Sequence, residues 1–177
     1  MVEVTVTRLG LDSTSNSYVV ILQEKDGERL LPIWIGQPEA ESIGMELQKI
    51  KPPRPLTHDL CKRLITGLGA TLRRIQITRV EDNTYYAELQ LQLGDRMVQV
   101  DARPSDSIAL ALRFAAPIFA QESLLSEVEV EESAEESEGP SFAVEGPALG
   151  ETRDLSAEAL KAYLEKLRPE DFGKFKL

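Results

Sequence analysis

Histidine and cysteine each occur once in these 177 residues, as His58 and Cys61. Any histidine-dependent catalytic set therefore has a single possible imidazole. Imidazole is the side chain whose ordinary pKa lies nearest neutrality, which suits a general acid or base. His58 precedes Asp59 at what reads as the start of a helix, a place where a histidine can equally do no more than hydrogen-bond locally. Cys61 lies three residues on, within helical reach of His58, but inside an apolar stripe where a thiol acts as a small buried hydrophobe. A nucleophilic role for it would need an adjacent base and exposure.

Carboxylates offer a second chemistry. Glu39, Glu41, Asp59, Asp101 and Asp106 are oxygen donors of the kind that hold a divalent cation such as magnesium or manganese. Glu39, Asp59 and Asp106 also read as first-turn helix residues, where an acid stabilises by about 0.3–1 kcal/mol without any ligand. Asp101 and Arg103 stand two apart at a strand end and so face one side. They could form a structural ion pair, or Arg103 could clamp a phosphate through two parallel hydrogen bonds. A basic set, Lys49, Lys51, Arg54, Lys62, Arg63, Arg73, Arg74 and Arg79, resembles a nucleic-acid footprint, although solvated faces explain it as readily. The sequence has no phosphate-loop glycine pattern, zinc-spaced Cys or His cluster, or Gly-x-Ser-x-Gly elbow.

The elements that must position these groups can be read from periodicity. Val2, Val4 and Val6 alternate with polar residues as in a half-buried strand. Tyr18 to Gln23 and Arg29 to Ile35 read as two further strands, with turn chemistry at Asp26-Gly27. Pro38 opens a helix that buries Ile43, Leu47 and Ile50 and stops at Lys51-Pro52-Pro53-Arg54-Pro55. Thr57 reads as the N-cap of a second helix with Leu60, Cys61, Leu64, Ile65 and Leu68 on its apolar face, and Gly69 just beyond its end. Thr71 to Val80, Tyr85 to Leu93 and Arg96 to Ala102 are strand-like. Ser105 reads as the cap of a third helix reaching Phe114, followed by extended Ala116-Pro117-Ile118-Phe119.

Ser126 marks a change of character. Seven glutamates fall between Glu127 and Glu138, then Gly-Pro pairs, a composition that cannot bury enough apolar surface to offset its ordering entropy. The expected organisation is a compact α+β domain over 1–125, an acidic flexible linker over 126–152 and a helical tail over 153–177. In the tail, Leu160, Tyr163, Leu164 and Leu167 fall on one helical face. Of the net charge of −10, residues 1–120 contribute little, with 15 acidic and 14 basic side chains. Such a near-neutral domain can still bind phosphate through a local basic patch. No apolar run approaches the ~20 residues of a membrane span, and no secretory signal opens the chain. A single cysteine suits a reducing compartment. These features predict a cytoplasmic protein without a membrane partner.

Three segments carry a resemblance. Leu31-Pro32-Ile33-Trp34-Ile35-Gly36 with Glu39-Ala40, Arg54-Pro55-Leu56-Thr57-His58-Asp59-Leu60, and Asp101 through Arg113, in this order, resemble the bifunctional nuclease (BFN) domain family. The likeness covers roughly residues 1–130, and Arg168-Pro169-Glu170-Asp171-Phe172-Gly173 resembles the tails of bacterial members. Ser107 departs from the family's usual alanine. The resemblance implies an α+β domain with a strongly bent antiparallel sheet, often a homodimer, and a nuclease acting on DNA and RNA. Its motif positions here are Glu39, Thr57, His58, Asp59, Asp101, Arg103, Ser105 and Asp106. A phosphodiester hydrolase built on them would use His58, Asp59, Arg103 and Asp106 as catalytic groups, with Glu39, Asp101 and Asp106 holding magnesium or manganese. The competing expectation is a non-catalytic oligomeric binding or assembly module. In that reading the same residues only start helices, and Pro32-Ile33-Trp34-Ile35 supplies an apolar contact surface.

Overall fold

The computed structural model describes residues 1–12 and 17–126. Their order is β1 (Val2–Asp12), β2 (Ser17–Glu24), β3 (Leu30–Ile35), α1 (Gln37–Leu47), α2 (Thr57–Gly67), β4 (Ala70–Glu81), β5 (Thr84–Leu93), β6 (Arg96–Ala102), α3 (Pro104–Phe114), β7 (Ile118–Ala120) and a 3-10 turn at Glu122–Leu124. The α+β class is as expected. The expected linker and tail lie outside the described residues, Ser126 excepted.

Two antiparallel meanders, β1-β2-β3 and β4-β5-β6, are joined by β7 into one sheet of order β3-β2-β1-β7-β4-β5-β6. β7 runs antiparallel to β1 but parallel to β4. The sheet is therefore mixed at this one junction and antiparallel elsewhere. Register shifts at Val6/Arg8 in β1 and at Leu72/Arg74 and Ile77/Arg79 in β4 mark bulges, which increase local twist.

One sheet face carries the core. Val4, Val20, Leu22, Leu31, Ile33, Leu72, Ile75, Ile77, Ala87 and Leu89 are buried there with Ile43 of α1 and Ile108 to Ala111 of α3. α3 is buried almost all round because it packs on β4 and β5 while α1 and α2 flank it. Ala109 and Ala111 keep its contact surfaces small enough for that triple approach. α2 is different, with no fully buried residue. Cys61 packs against the core but stays partly exposed, whereas Leu60, Leu64 and Leu68 of the expected apolar stripe face outward. In α1 only Ile43 of the expected trio is buried; Leu47 and Ile50, near the helix end, are exposed.

Candidate functional site

The three α-helices among the described residues begin alike. Each has an extended N-cap, at Gly36, Leu56 and Arg103, and each has an acid at its third residue, Glu39, Asp59 and Asp106. These caps correct two expectations. Thr57 and Ser105 lie just inside their helices rather than capping them. At α3 the reason is Pro104, whose fixed φ and missing N–H suit the first helical position. The Asp59 carboxylate accepts from the Leu56 backbone N–H at 3.0 Å, satisfying a donor that the helix itself leaves open.

The middle of α1 and the starts of α2 and α3 meet around His58. Its Nδ1 lies 2.8 Å from Ser42 Oγ on α1, and its Nε2 lies 3.0 Å from Asp106 Oδ1 on α3. With Asp106 ionised, Nε2 carries a proton and donates it to the carboxylate, and the neutral ring then accepts from the Ser42 hydroxyl. A doubly protonated ring would instead donate to Ser42 Oγ, so both charge states are satisfied.

Asp106 is also gripped by Arg103. Arg103 Nε donates to Oδ2 at 2.6 Å and Nη2 to Oδ1 at 3.1 Å, and the same Nη2 reaches Glu39 Oε1 at 2.7 Å. The Asp106 carboxyl lies below the usual carboxylate range: partial burial pushes it up, but the bonds from Arg103 and His58 outweigh that. Its bonds to Asp106, and next to Glu39, hold the Arg103 guanidinium more firmly protonated. The Arg103 side chain is nonetheless 66% exposed, and no bond from its Nη1 occurs among the described residues.

A second arginine supports the arrangement from inside. Arg113, at the end of α3 and only 4% exposed, donates from Nε to Asp59 Oδ1 at 2.7 Å. Its Nη1 donates to the carbonyls of Ser42 at 3.3 Å and Ala109 at 3.0 Å. Burial raises the Asp59 carboxyl, and the Arg113 and Leu56 bonds more than reverse this, so it too is held low. With both oxygens engaged away from His58, Asp59 anchors α2 rather than facing the cluster.

Four of the expected residues, Glu39, His58, Arg103 and Asp106, therefore belong to one connected cluster. Asp101 does not. It is exposed on β6, opposite Glu88 of β5, and it forms no ion pair with Arg103 among the described residues. The strand ends at Ala102, so Arg103 follows the turn into α3 and is claimed by Asp106 and Glu39. Among the described residues, no three His, Cys, Asp or Glu side chains form a group able to hold a metal ion. Glu39 and Asp106 are bridged by a cation already, and Asp101 lies elsewhere. The set Glu39, Asp101 and Asp106 does not fit a divalent cation in this arrangement.

Ser42 and Arg113 were not among the residues singled out as sites. Arg113 carried a faint signal, as the one charge in the apolar run Ile108 to Phe114. Ser42 carried none beyond being polar within an amphipathic helix. The basic set is dispersed: Lys62 lies over the Phe114 ring, Arg74 over Phe119 and Arg79 over Tyr86. No helix among the described residues is long and apolar enough to cross a membrane.

The chain matches the family model described as bifunctional nuclease domain over residues 20–133. An uncharacterized protein of Mycobacterium tuberculosis is 40% identical over 172 residues, 97% of this chain and 98% of its own. Bifunctional nuclease 1 of Oryza sativa subsp. japonica is 29% identical over 110 residues, covering 60% of this chain and 33% of the plant protein. Bifunctional nuclease 2 of Arabidopsis thaliana is 30% identical over 103 residues, 56% of this chain and 31% of its own length. The matched stretch is about a third of each plant protein.

Proposed function

The chain belongs to the bifunctional nuclease domain family, and from that membership we propose that it hydrolyses phosphodiester bonds of DNA and RNA at the cluster around His58. The observation that carries the reading is the continuous path Ser42–His58–Asp106–Arg103–Glu39, buried at its serine end and open to solvent at Arg103.

Each member has a role in this reading. Arg103 is the phosphate-binding group. Its Nη1 takes a non-bridging oxygen while Nε and Nη2 stay on the carboxylates, a fork geometry that fixes orientation as well as charge. The helix starts around it add positive potential. His58 and Asp106 move the proton. Water adds to phosphorus, its proton passes to the imidazole–carboxylate pair, the P–O bond to the leaving oxygen breaks, and that oxygen takes the proton back. Ser42 completes the ring's second hydrogen bond in either charge state, and Asp59 and Arg113 hold α2 and α1 so that His58 stays aimed at Asp106.

The test is cleavage of labelled single-stranded DNA and RNA by the purified full chain, with magnesium, with manganese and with chelator. A His58→Ala, Asp106→Ala double variant, shown folded by its thermal transition, runs alongside. Cleavage that vanishes in the variant supports the reading. Equal traces from both proteins mean a contaminant, and a folded but inactive wild type defeats it.

A second reading, the assembly module, rests on the other sheet face. There Val19 pairs with Trp34 and Ile21 with Pro32, and Trp34 is 56% exposed. A homodimer joined through this face would cover an apolar row that water otherwise meets. Sedimentation of the wild type against Trp34→Glu tests it, with a monomeric wild type as the defeating result.

A further inference from the structure

On the helix-bearing side of the sheet, burial falls away row by row. Leu22 and Leu31 are paired and fully buried, as are Val20 and Ile33 in the next row. In the third row Leu11, Tyr18 and Ile35 pair across β1, β2 and β3, yet Tyr18 and Ile35 are only half-buried and Leu11 is exposed. The sheet here runs on beyond the helices that cover it. What remains is a shelf floored by an aromatic ring between two aliphatic side chains and walled by Gly36 and Gln37 at the start of α1. It borders an open pocket of about 290 Å³ lined by Leu11, Ser17, Tyr18, Ile35, Gly36 and Gln37.

The wall ties this shelf to the cluster. Glu39, two residues past Gln37 and so ~3 Å further along the helix axis, is the carboxylate that holds Arg103 Nη2 at 2.7 Å. A Cβ built on Gly36 would come within 2.4 Å of Glu39 Oε2, so the carboxylate that holds Arg103 lies against the wall of the shelf. The floor is apolar, aromatic and three strands wide, about 10 Å at the ordinary strand spacing. Its rim is polar, with the Gln37 amide beside it; that amide donates Nε2 to Glu41 at 2.8 Å, and no bond to its carbonyl oxygen occurs among the described residues. Apolar floor and polar rim together suit a flat heteroaromatic ring with edge hydrogen-bonding groups. A volume near the low end of the ~300–1,000 Å³ of small-ligand pockets admits one such ring and no more.

We propose that this shelf is a nucleobase subsite, which seats on Tyr18 the base of the nucleotide whose phosphate Arg103 holds. The proposal rests on the phosphodiester reading for its position beside Arg103, but not for its chemistry. Stacking on one aromatic ring accepts any base, because every base offers a flat face, so the subsite favours nucleotides over simple phosphates without selecting a sequence.

The test is a binding titration on the full chain with isotope-labelled methyl groups, using adenosine 3′-monophosphate, ribose 5-phosphate and inorganic phosphate as probes. The nucleotide is expected to shift the Leu11 and Ile35 methyl signals, and inorganic phosphate to leave them in place. Tyr18→Leu, which keeps the apolar bulk but removes the ring, should weaken nucleotide binding about tenfold, the scale of one lost base–aromatic stack. It should leave phosphate binding unchanged, and Tyr18→Phe should restore the nucleotide. Gln37→Ala, at an exposed position, gives a second and milder probe should Tyr18→Leu unfold. Cleavage of oligonucleotides with no methyl shift from the nucleotide overturns the subsite and leaves the nuclease standing. Shifts at the shelf in a protein that cleaves nothing keep the subsite and defeat the hydrolysis. Equal weakening of nucleotide and phosphate by Tyr18→Leu also overturns it.

Discussion

Arg113 and Asp59 stand 54 positions apart and meet at 2.7 Å, one almost wholly enclosed and the other partly open. The pair does more than close a charge. Arg113 also holds the Ser42 carbonyl, so one guanidinium touches the residue after His58 and the residue that bonds His58 Nδ1. Asp59→Asn leaves that guanidinium buried without a counter-charge. Stranding a buried ion costs about 3–5 kcal/mol, and the partial exposure of Asp59 puts this case near the lower figure. For a protein of this size that is a fall in Tm of about 6–12 °C. Arg113→Lys should recover little, because one ammonium cannot span Asp59 and two carbonyls. Calorimetry on the two variants checks both statements. A loss below about 1 kcal/mol for each would show that water reaches the pair.

Arg103 has the opposite profile. Its guanidinium is 66% exposed although Glu39 and Asp106 are mostly enclosed, and pairs with so solvated a member contribute only about 0–1 kcal/mol. Arg103→Lys should therefore melt within a few degrees of the wild type. Its effect belongs to substrate: a lysine cannot hold two carboxylates and a phosphate at once, and a decrease of about 100-fold in kcat/KM is expected, comparable to loss of one charge-stabilising group. Steady-state cleavage kinetics beside a thermal melt separates the two. Parallel loss of stability and activity would assign Arg103 to the scaffold.

Much of this frame was legible in the chain. Alternation at Val2, Val4 and Val6 marks β1, and three acids near helix starts were visible as such. What local pattern does not carry is anything settled by distant partners. β1 runs on to Asp12, but the bulge between Val6 and Arg8 resets its period, so the alternation of Leu9 and Leu11 belongs to a shifted register. Leu60, Leu64 and Leu68 have a helical stripe's spacing, yet α2 lies at the margin and turns them outward. Asp101 and Arg103 have the spacing of a same-side pair, and the helix start breaks it. Ser42 meets His58 across 16 positions and Arg113 across 71, contacts that depend on how three helices pack.

Acid should loosen the cluster. The carboxyls of Asp59 and Asp106 are both held below their ordinary range in the folded chain. A depressed folded-state pKa means that the unfolded chain binds protons more readily. The stability from these groups is then fully present above the unfolded value near ~3.9 and is lost as pH falls through the lower folded values. Urea midpoints from pH 7 down to pH 2 should stay level in this respect above about pH 5 and then fall. Asp59→Asn and Asp106→Asn should each start lower and fall less steeply. A variant as acid-sensitive as the wild type would show that its carboxyl does not titrate with folding.

Gly36 gives the sharpest separation of site from scaffold. Its φ of −74° strains no residue type, so backbone freedom is not why glycine stands there. Contact is the reason: a Cβ on Gly36 would come within 2.4 Å of Glu39 Oε2. That oxygen ends a flexible side chain, and the inexpensive relief is for the Glu39 carboxylate to swing away. Swinging away breaks its bond to Arg103 Nη2 and leaves Asp106 as that arginine's one anchor. Gly36→Ala should therefore melt within about 1 kcal/mol of the wild type, since the arginine of the broken pair is largely solvated and such pairs contribute little. It should also loosen Arg103 and raise KM for an oligonucleotide more than it lowers kcat, as expected when a binding group loses its orientation but the proton path is intact. Kinetics on Gly36→Ala and Glu39→Gln decide it. Matching changes in the two variants are expected, and a fall in kcat alone would mean that Glu39 acts on the proton path rather than on Arg103.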